Sequence, residues 1–147
     1  MYRASEHNFS AVAFHHYCDG QVDTLVLIRT EFGKTIGGHT HYPWGSVGGE
    51  GEWVHNSGRR AFLFSLNMKE KFVPQRDNQL IYRYSAYGPT FGGSDLRSAD
   101  SCNKNNRSCA IFPTAYNRQG GYKLARNKDT CRMFSGGDNE YFKVEEY

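Results

Sequence analysis

Apolar and polar positions along the chain recur mostly with the two-residue period of strands, in runs separated by Gly, Asn, Asp and Pro. In TLVLIRT, residues 24 to 30, Leu25 and Leu27 fall on one face and Val26 and Ile28 on the other, which predicts a central strand covered on both sides. After a turn at Glu31, Phe32 and Gly33, KTIGGHTH reads as its hairpin partner, with Gly37 and Gly38 marking a bulge or a close backbone approach. AFLFSL at 61 to 66 reads as a second buried strand. QLIYRYS at 79 to 85 sets Leu80, Tyr82 and Tyr84 against Ile81, Arg83 and Ser85, and YFKVEEY at 141 to 147 alternates likewise, so each should have one wetter face. One helix is signalled: Ser10 caps AVAFHHYC and Asp19-Gly20 stops it, with Val12, Ala13, Phe14 and Tyr17 forming the stripe that packs on a sheet. Residues 42 to 58 and 100 to 130 read as long loops. The pattern predicts a mainly β fold, an antiparallel β-sandwich flanked by one or two short helices, in one domain over residues 1 to 147.

Composition narrows the classes. Charged residues make up 22% and aromatics 15% of the 147 residues, so the chain should pack and not remain disordered. No apolar run approaches the roughly 18 residues that span a bilayer, and residues 1 to 20 lack a signal-peptide pattern; membrane insertion is not expected. The formal charge of +3 is spread along the chain, which argues against nucleic acid. Arg118, Lys123, Arg126, Lys128 and Arg132 make the clearest basic stretch, with Asp129 alone among them to offset it, and read as a solvated face. Cys18, Cys102, Cys109 and Cys131 are wrongly spaced for zinc. Cys102 and Cys109 could close a short loop, a constraint of about 2.5 kcal/mol that needs an oxidising compartment. The triplets at Asn8 and Asn106 are N-glycosylation acceptors in form, and with that bridge they favour an extracellular setting.

The chemistry of catalysis is not visible. No Ser occupies a G-x-S-x-G elbow and no Cys a nucleophile signature. His39 and His41 share one face of a strand and could hold a metal with Glu50, Glu52 or His55, but surface histidines are the commoner case. His15 and His16, adjacent on a helix, cannot face one ligand together. Glu145 and Glu146 point to opposite faces and cannot form an acid and base pair. A non-enzymatic protein with no metal and no cofactor is expected.

Four blocks, YRASEHNFSAVAFHHYCDG, TLVLIRTEFGKTIGGHTHYPW, AFLFSL and YSAYGPTFGGSDL, stand in the order and spacing of the TLDc domain, which this chain resembles over nearly its whole length. The most specific elements are Gly37, Gly38 and Trp44, the AFLFSL strand, and Tyr87 to Gly93 followed by Asp95 and Leu96. The resemblance implies a curved antiparallel β-sandwich flanked by short helices. It also implies an alternative role, since intracellular members are linked to oxidative-stress protection and to the vacuolar proton pump. The cysteine-flanked segment at 102 to 109 departs from that intracellular pattern, and the cut of the chain more closely resembles the stand-alone or extracellular TLDc-like domains of invertebrates. Fold does not specify function, which resides in the site.

A sugar site needs an aromatic plate for the C–H face of the ring and planar polar groups for its hydroxyls. His39, His41, Tyr42, Trp44, Glu52, Trp53, His55, Asn56 and Arg59 lie within one Gly-rich stretch that offers both. Trp44, part of the motif, reads as core, leaving Trp53 as the plate. Asp95, Arg97, Asn103, Asn105 and Asn106 form a second candidate rim. A lectin-like module for galactose or lactosamine-type glycans follows, with glycoproteins as partners. Its single-site affinity would be modest, and a homodimer would add avidity.

Overall fold

The computed structural model describes residues 1–55, 58 and 60–147. Its larger sheet is antiparallel throughout, in the order β10 (Tyr116–Arg118), β5 (Glu70–Pro74), β4 (Ala61–Ser65), β2 (Thr35–Thr40), β1 (Thr24–Thr30) and β12 (Val144–Glu146). A second sheet runs β11 (Tyr141–Phe142), β9 (Ser108–Cys109), β8 (Leu96–Ala99) and β7 (Tyr87–Phe91). A separate ribbon pairs β3 (Glu52–Trp53) with β6 (Tyr82–Arg83). The inner face of the larger sheet, with Val26, Ile28, Ile36, Leu63 and Phe72, and the second sheet, with Phe91 and Leu96, share one apolar core. The result is a mainly antiparallel β-sandwich with two short helices, as the hydrophobic pattern predicts. Neither helix is long and apolar enough to cross a membrane.

The Gly37-Gly38 pair is a close-approach site. A Cβ on Gly38 would stand 2.6 Å from Phe91 Cζ, and one on Gly37 would collide with the Val26 carbonyl oxygen. Across β2, Leu27 pairs with Gly37 and Gly37 with Phe64, so the missing side chain leaves room for the Phe64 ring on the outer face.

Helix α1 (Ala11–Cys18) begins as predicted, with the Ser10 hydroxyl accepting from Ala13 N at 3.3 Å. Its buried face differs from the predicted stripe. Ala11, Phe14 and His15 are buried, while Val12 is 76% and Tyr17 44% exposed. Helical spacing decides this: Ala11, Phe14 and His15 stand at i, i+3 and i+4, and Val12 points away from them.

Three further expectations are corrected. Strand β1 is covered on one side only, for Leu25 and Leu27 are 60% and 48% exposed; apolar residues on both faces signalled an uncovered apolar surface, not two covered faces. The run 141 to 147 is two strands in two sheets: β11 edges the smaller sheet and β12 the larger, with Lys143 as the crossing residue. The stretch 100 to 130 is not an apolar-poor loop. It contributes β9, β10 and the start of helix α2 (Lys128–Ser135), and it buries Cys102, Ala110, Phe112 and Tyr116. Helix α2 starts at Asn127, whose side chain accepts from Thr130 N at 2.9 Å, and stops at Gly136 with φ 95°. Its Phe134 stacks on Phe112 at 4.5 Å between centroids.

The basic stretch is largely neutralised by carboxylates that lie outside it. Arg118 pairs with Glu70 at 2.6 Å, Arg126 with Glu140 at 2.5 Å and Arg132 with Asp138 at 2.7 Å. Cys102 and Cys109 are both buried free thiols and not a disulfide. Strand alternation explains the separation. Cys102 Sγ meets the Ser98 hydroxyl at 3.5 Å and lies beside Ser108, and Cys109, next to Ser108 on β9, points to the opposite face.

Candidate functional site

The β3–β6 ribbon sorts its four side chains by the period of two. Glu52 and Arg83 pair on one face, with Oε2 and Nη1 3.3 Å apart, while Trp53 and Tyr82 pair on the other with centroids 4.6 Å apart. The ribbon is anchored from below: Val54 N donates to Ile81 O at 3.0 Å, and Ile81 bridges to Phe91 of β7. Tyr82 continues to Tyr84 at 6.0 Å, and Tyr84 to Tyr87 at 5.1 Å, so four aromatic rings run in a row from the ribbon onto the second sheet. They line an open groove of about 450 Å³ with Gly49, Glu50, Thr90, Gly93 and Arg97. That volume lies in the ordinary range for small-ligand sites. Tyr82 donates its hydroxyl to the Glu50 carbonyl, which fixes the loop at the rim.

Arg97 closes the far end of the row. It sits on β8 opposite Thr90, and its guanidinium carbon lies 4.5 Å from the centre of the Tyr87 ring, a cation–π contact. Its Nε is buried and meets no hydrogen-bond acceptor. Arg29, Arg83, Arg118, Arg126 and Arg132 each hold a carboxylate, whereas Arg97 has none within ion-pair distance among the described residues. Its cross-strand neighbour Cys109 is a buried thiol whose pKa burial pushes up, and the Arg97 charge opposes that rise.

His15 supports the row from behind. The ring is buried, with Nδ1 2.7 Å from Asp19 Oδ1 and Nε2 2.9 Å from Tyr87 O and 3.1 Å from Tyr84 O. Both carbonyls of the turn that carries Tyr84 and Tyr87 are therefore tied to helix α1. Of the two adjacent histidines, His15 is structural and His16 is exposed.

The sequence-derived candidates divide. Trp53 and Arg97, drawn from two separate candidate sets, meet in the one groove. Glu52 neighbours Trp53 but faces away into its ion pair with Arg83. His39 and His41 do share a face, and both turn to Asp23: Asp23 Oδ1 lies 2.7 Å from His41 Nδ1 and 3.8 Å from His39 Nε2. The His41 hydrogen bond holds the exposed Asp23 carboxyl below its usual range. His39 also stacks on Phe62 at 5.1 Å, so this cluster belongs to the outer face of the larger sheet and does not line the groove. Tyr42 packs on the core with its hydroxyl buried and unpartnered, and His55 is exposed outside the groove. Asn56 and Arg59 lie outside the described residues. No group of three His, Cys, Asp or Glu among the described residues could hold a metal ion.

The second rim does not assemble. Asp95 is fully buried: Oδ1 accepts from Thr114 N at 2.6 Å and Tyr116 N at 3.2 Å, and Oδ2 from Ala115 N at 2.8 Å. It staples the start of β8 to β10 and cannot reach a ligand. Burial pushes its carboxyl up to about 6, against the pull of the three amides. Asn103 is exposed and outside the groove, and Asn105 is engaged with the Asp100 and Ser101 carbonyls at 3.0 and 2.9 Å.

Tyr82, Tyr84, Tyr87 and Thr90 were not among the candidates. The signal was present: Tyr82 and Tyr84 alternate onto one face, and three tyrosines fall within six residues. Their role depends on the ribbon bringing Trp53 beside them, which periodicity alone does not disclose.

An antiparallel sandwich with two short helices and a ring-lined groove defines the class as a small β-sandwich domain. Within that class the TLDc domain family matches residues 1–146. The chain belongs to the TLDc domain family. Among curated proteins none matches this sequence.

Proposed function

We propose that the chain is a carbohydrate-binding module, without chemistry of its own and without a cofactor, that holds galactose- or lactosamine-type glycans in the groove between the ribbon and the second sheet. The observation that carries this reading is the row Trp53, Tyr82, Tyr84 and Tyr87 ending on Arg97. Ring faces suit the apolar C–H face of a pyranose, and galactose, with its axial 4-hydroxyl, keeps one such face continuous. Arg97 supplies the polar end. The exposed sequon asparagines, Asn8 and Asn106, support an extracellular setting. The edge positions of β11 and β12 offer pairing surfaces for a homodimer.

The test is a glycan array on the native protein, run beside haemagglutination with galactose, glucose and mannose as competitors. Selective binding blocked by galactose supports the reading, and a silent array refutes it. Trp53→Ala should weaken binding by roughly tenfold or more, as truncation of a central aromatic contact commonly does.

A second reading has its own observation. The free thiols of Cys102 and Cys109 favour an intracellular TLDc adaptor acting in oxidative-stress protection or at the vacuolar proton pump. Exposed Leu25 and Leu27, beside a groove of about 770 Å³ between α1 and β1, would then be the contact face for a protein. Affinity capture with Leu25→Asp as the control separates this reading from the first.

A further inference from the structure

We infer that the groove takes glycans bearing an anionic group, a carboxylate or a sulfate, with the Arg97 guanidinium as charge partner; this deepens the carbohydrate reading above and rests on it. Among the described residues six other arginines each pair with a carboxylate, and Arg97 is the one set into an aromatic groove with none. Its charge is partly desolvated: the residue is half-buried, and Nε is shielded from water without an acceptor. A desolvated donor left unmatched in a folded protein costs stability, and functional sites are where such a cost is retained.

The geometry fixes the direction of the charge. Tyr87 covers one face of the guanidinium, and Cys109 lies across the strand pair. The accessible part of Arg97 lines the groove, at the end of the ring row. A glycan laid along the ring row from Trp53 would bring the substituent of a terminal sugar toward that end. A planar fork of N–H donors matches a carboxylate or sulfate better than it matches a hydroxyl. The one carboxylate at the groove, Glu50, is exposed at the rim, where water and salt screen it.

Titration calorimetry on the native protein compares neutral lactosamine with its sulfated and its sialylated forms. At least one anionic form should bind tighter by roughly tenfold to a hundredfold, the worth of one charge-assisted hydrogen bond pair, and the preference should shrink as salt is raised. Sulfate and carboxylate arms tell the two sources apart. Arg97→Gln, checked for an unchanged thermal transition, should lose the preference, and Arg97→Lys should keep part of it. Neutral glycan bound as tightly as both anionic forms overturns this inference while leaving the carbohydrate reading in place. An anionic preference that survives in Arg97→Gln also overturns it. Binding of none of the three overturns the carbohydrate reading and this inference together.

Discussion

Phe91 occupies the space that a side chain on Gly38 would need: a Cβ there would stand 2.6 Å from Cζ and 2.8 Å from both Cε atoms of the ring. Gly38 is on β2 of the larger sheet and Phe91 on β7 of the smaller, so the contact sets how closely the two layers approach. The ring also meets Trp44 edge-on at 5.5 Å. Three positions from two sequence blocks are thus one packing unit.

Gly38→Ala should therefore destabilise the fold by about 3 kcal/mol, at the upper end of overpacking costs, because the obstacle is a buried ring wedged between two sheets. Urea denaturation gives the value directly as a fall in midpoint at constant slope. An unchanged midpoint would mean that the sheets separate freely.

His15→Ala should cost about 1 to 3 kcal/mol, since it leaves the Tyr84 and Tyr87 carbonyls and the Asp19 carboxylate without their buried partner. The tyrosine ring resonances in NMR spectra should shift before any other part of the core responds.

Asp95 sets a pH dependence whose sign is fixed. Its folded pKa of about 6 lies above the ordinary 3.8, so between those values the folded state holds more protons than the unfolded one. The contribution to stability is full below about pH 4 and is lost as pH rises through about 6. Asp95→Asn should remove this slope, seen as thermal transitions from pH 4 to 7. It should also lower stability by about 1 to 3 kcal/mol, because the amide nitrogen would oppose one of the three backbone donors.

All four cysteines should alkylate in unfolded, unreduced protein, and in the folded protein Cys102 and Cys109 should resist, being buried thiols with raised pKa values. Mass spectrometry counts the labels. Two labels instead of four after unfolding would show a bridge.

Much of the sandwich was legible because its strands obey the two-residue period and its first helix has a clean cap and stop. Covering was not, for Leu25 and Leu27 look in sequence like core residues, and only the layering shows that they stand exposed. Residues 100 to 130 read as a loop because their burial rests on isolated side chains such as Phe112 and Tyr116, not on a periodic run. At the groove, Trp53 and Arg97 could each be suspected, but their meeting depends on a ribbon of two residues per strand, too short to leave a pattern. Asp95 reads in sequence as a rim residue because its three partners lie 19 to 21 residues away.

The ribbon gives the groove two walls with different foundations. Tyr87 and Arg97 stand on a sheet built into the core, whereas Trp53 and Tyr82 stand on two-residue strands of the kind that do not persist alone. The amides of Trp53 and Tyr82 should accordingly exchange with solvent by local opening, far sooner than those of β7. Any molecule spanning both walls would slow that exchange, so the protein carries its own occupancy reporter in the backbone of one wall.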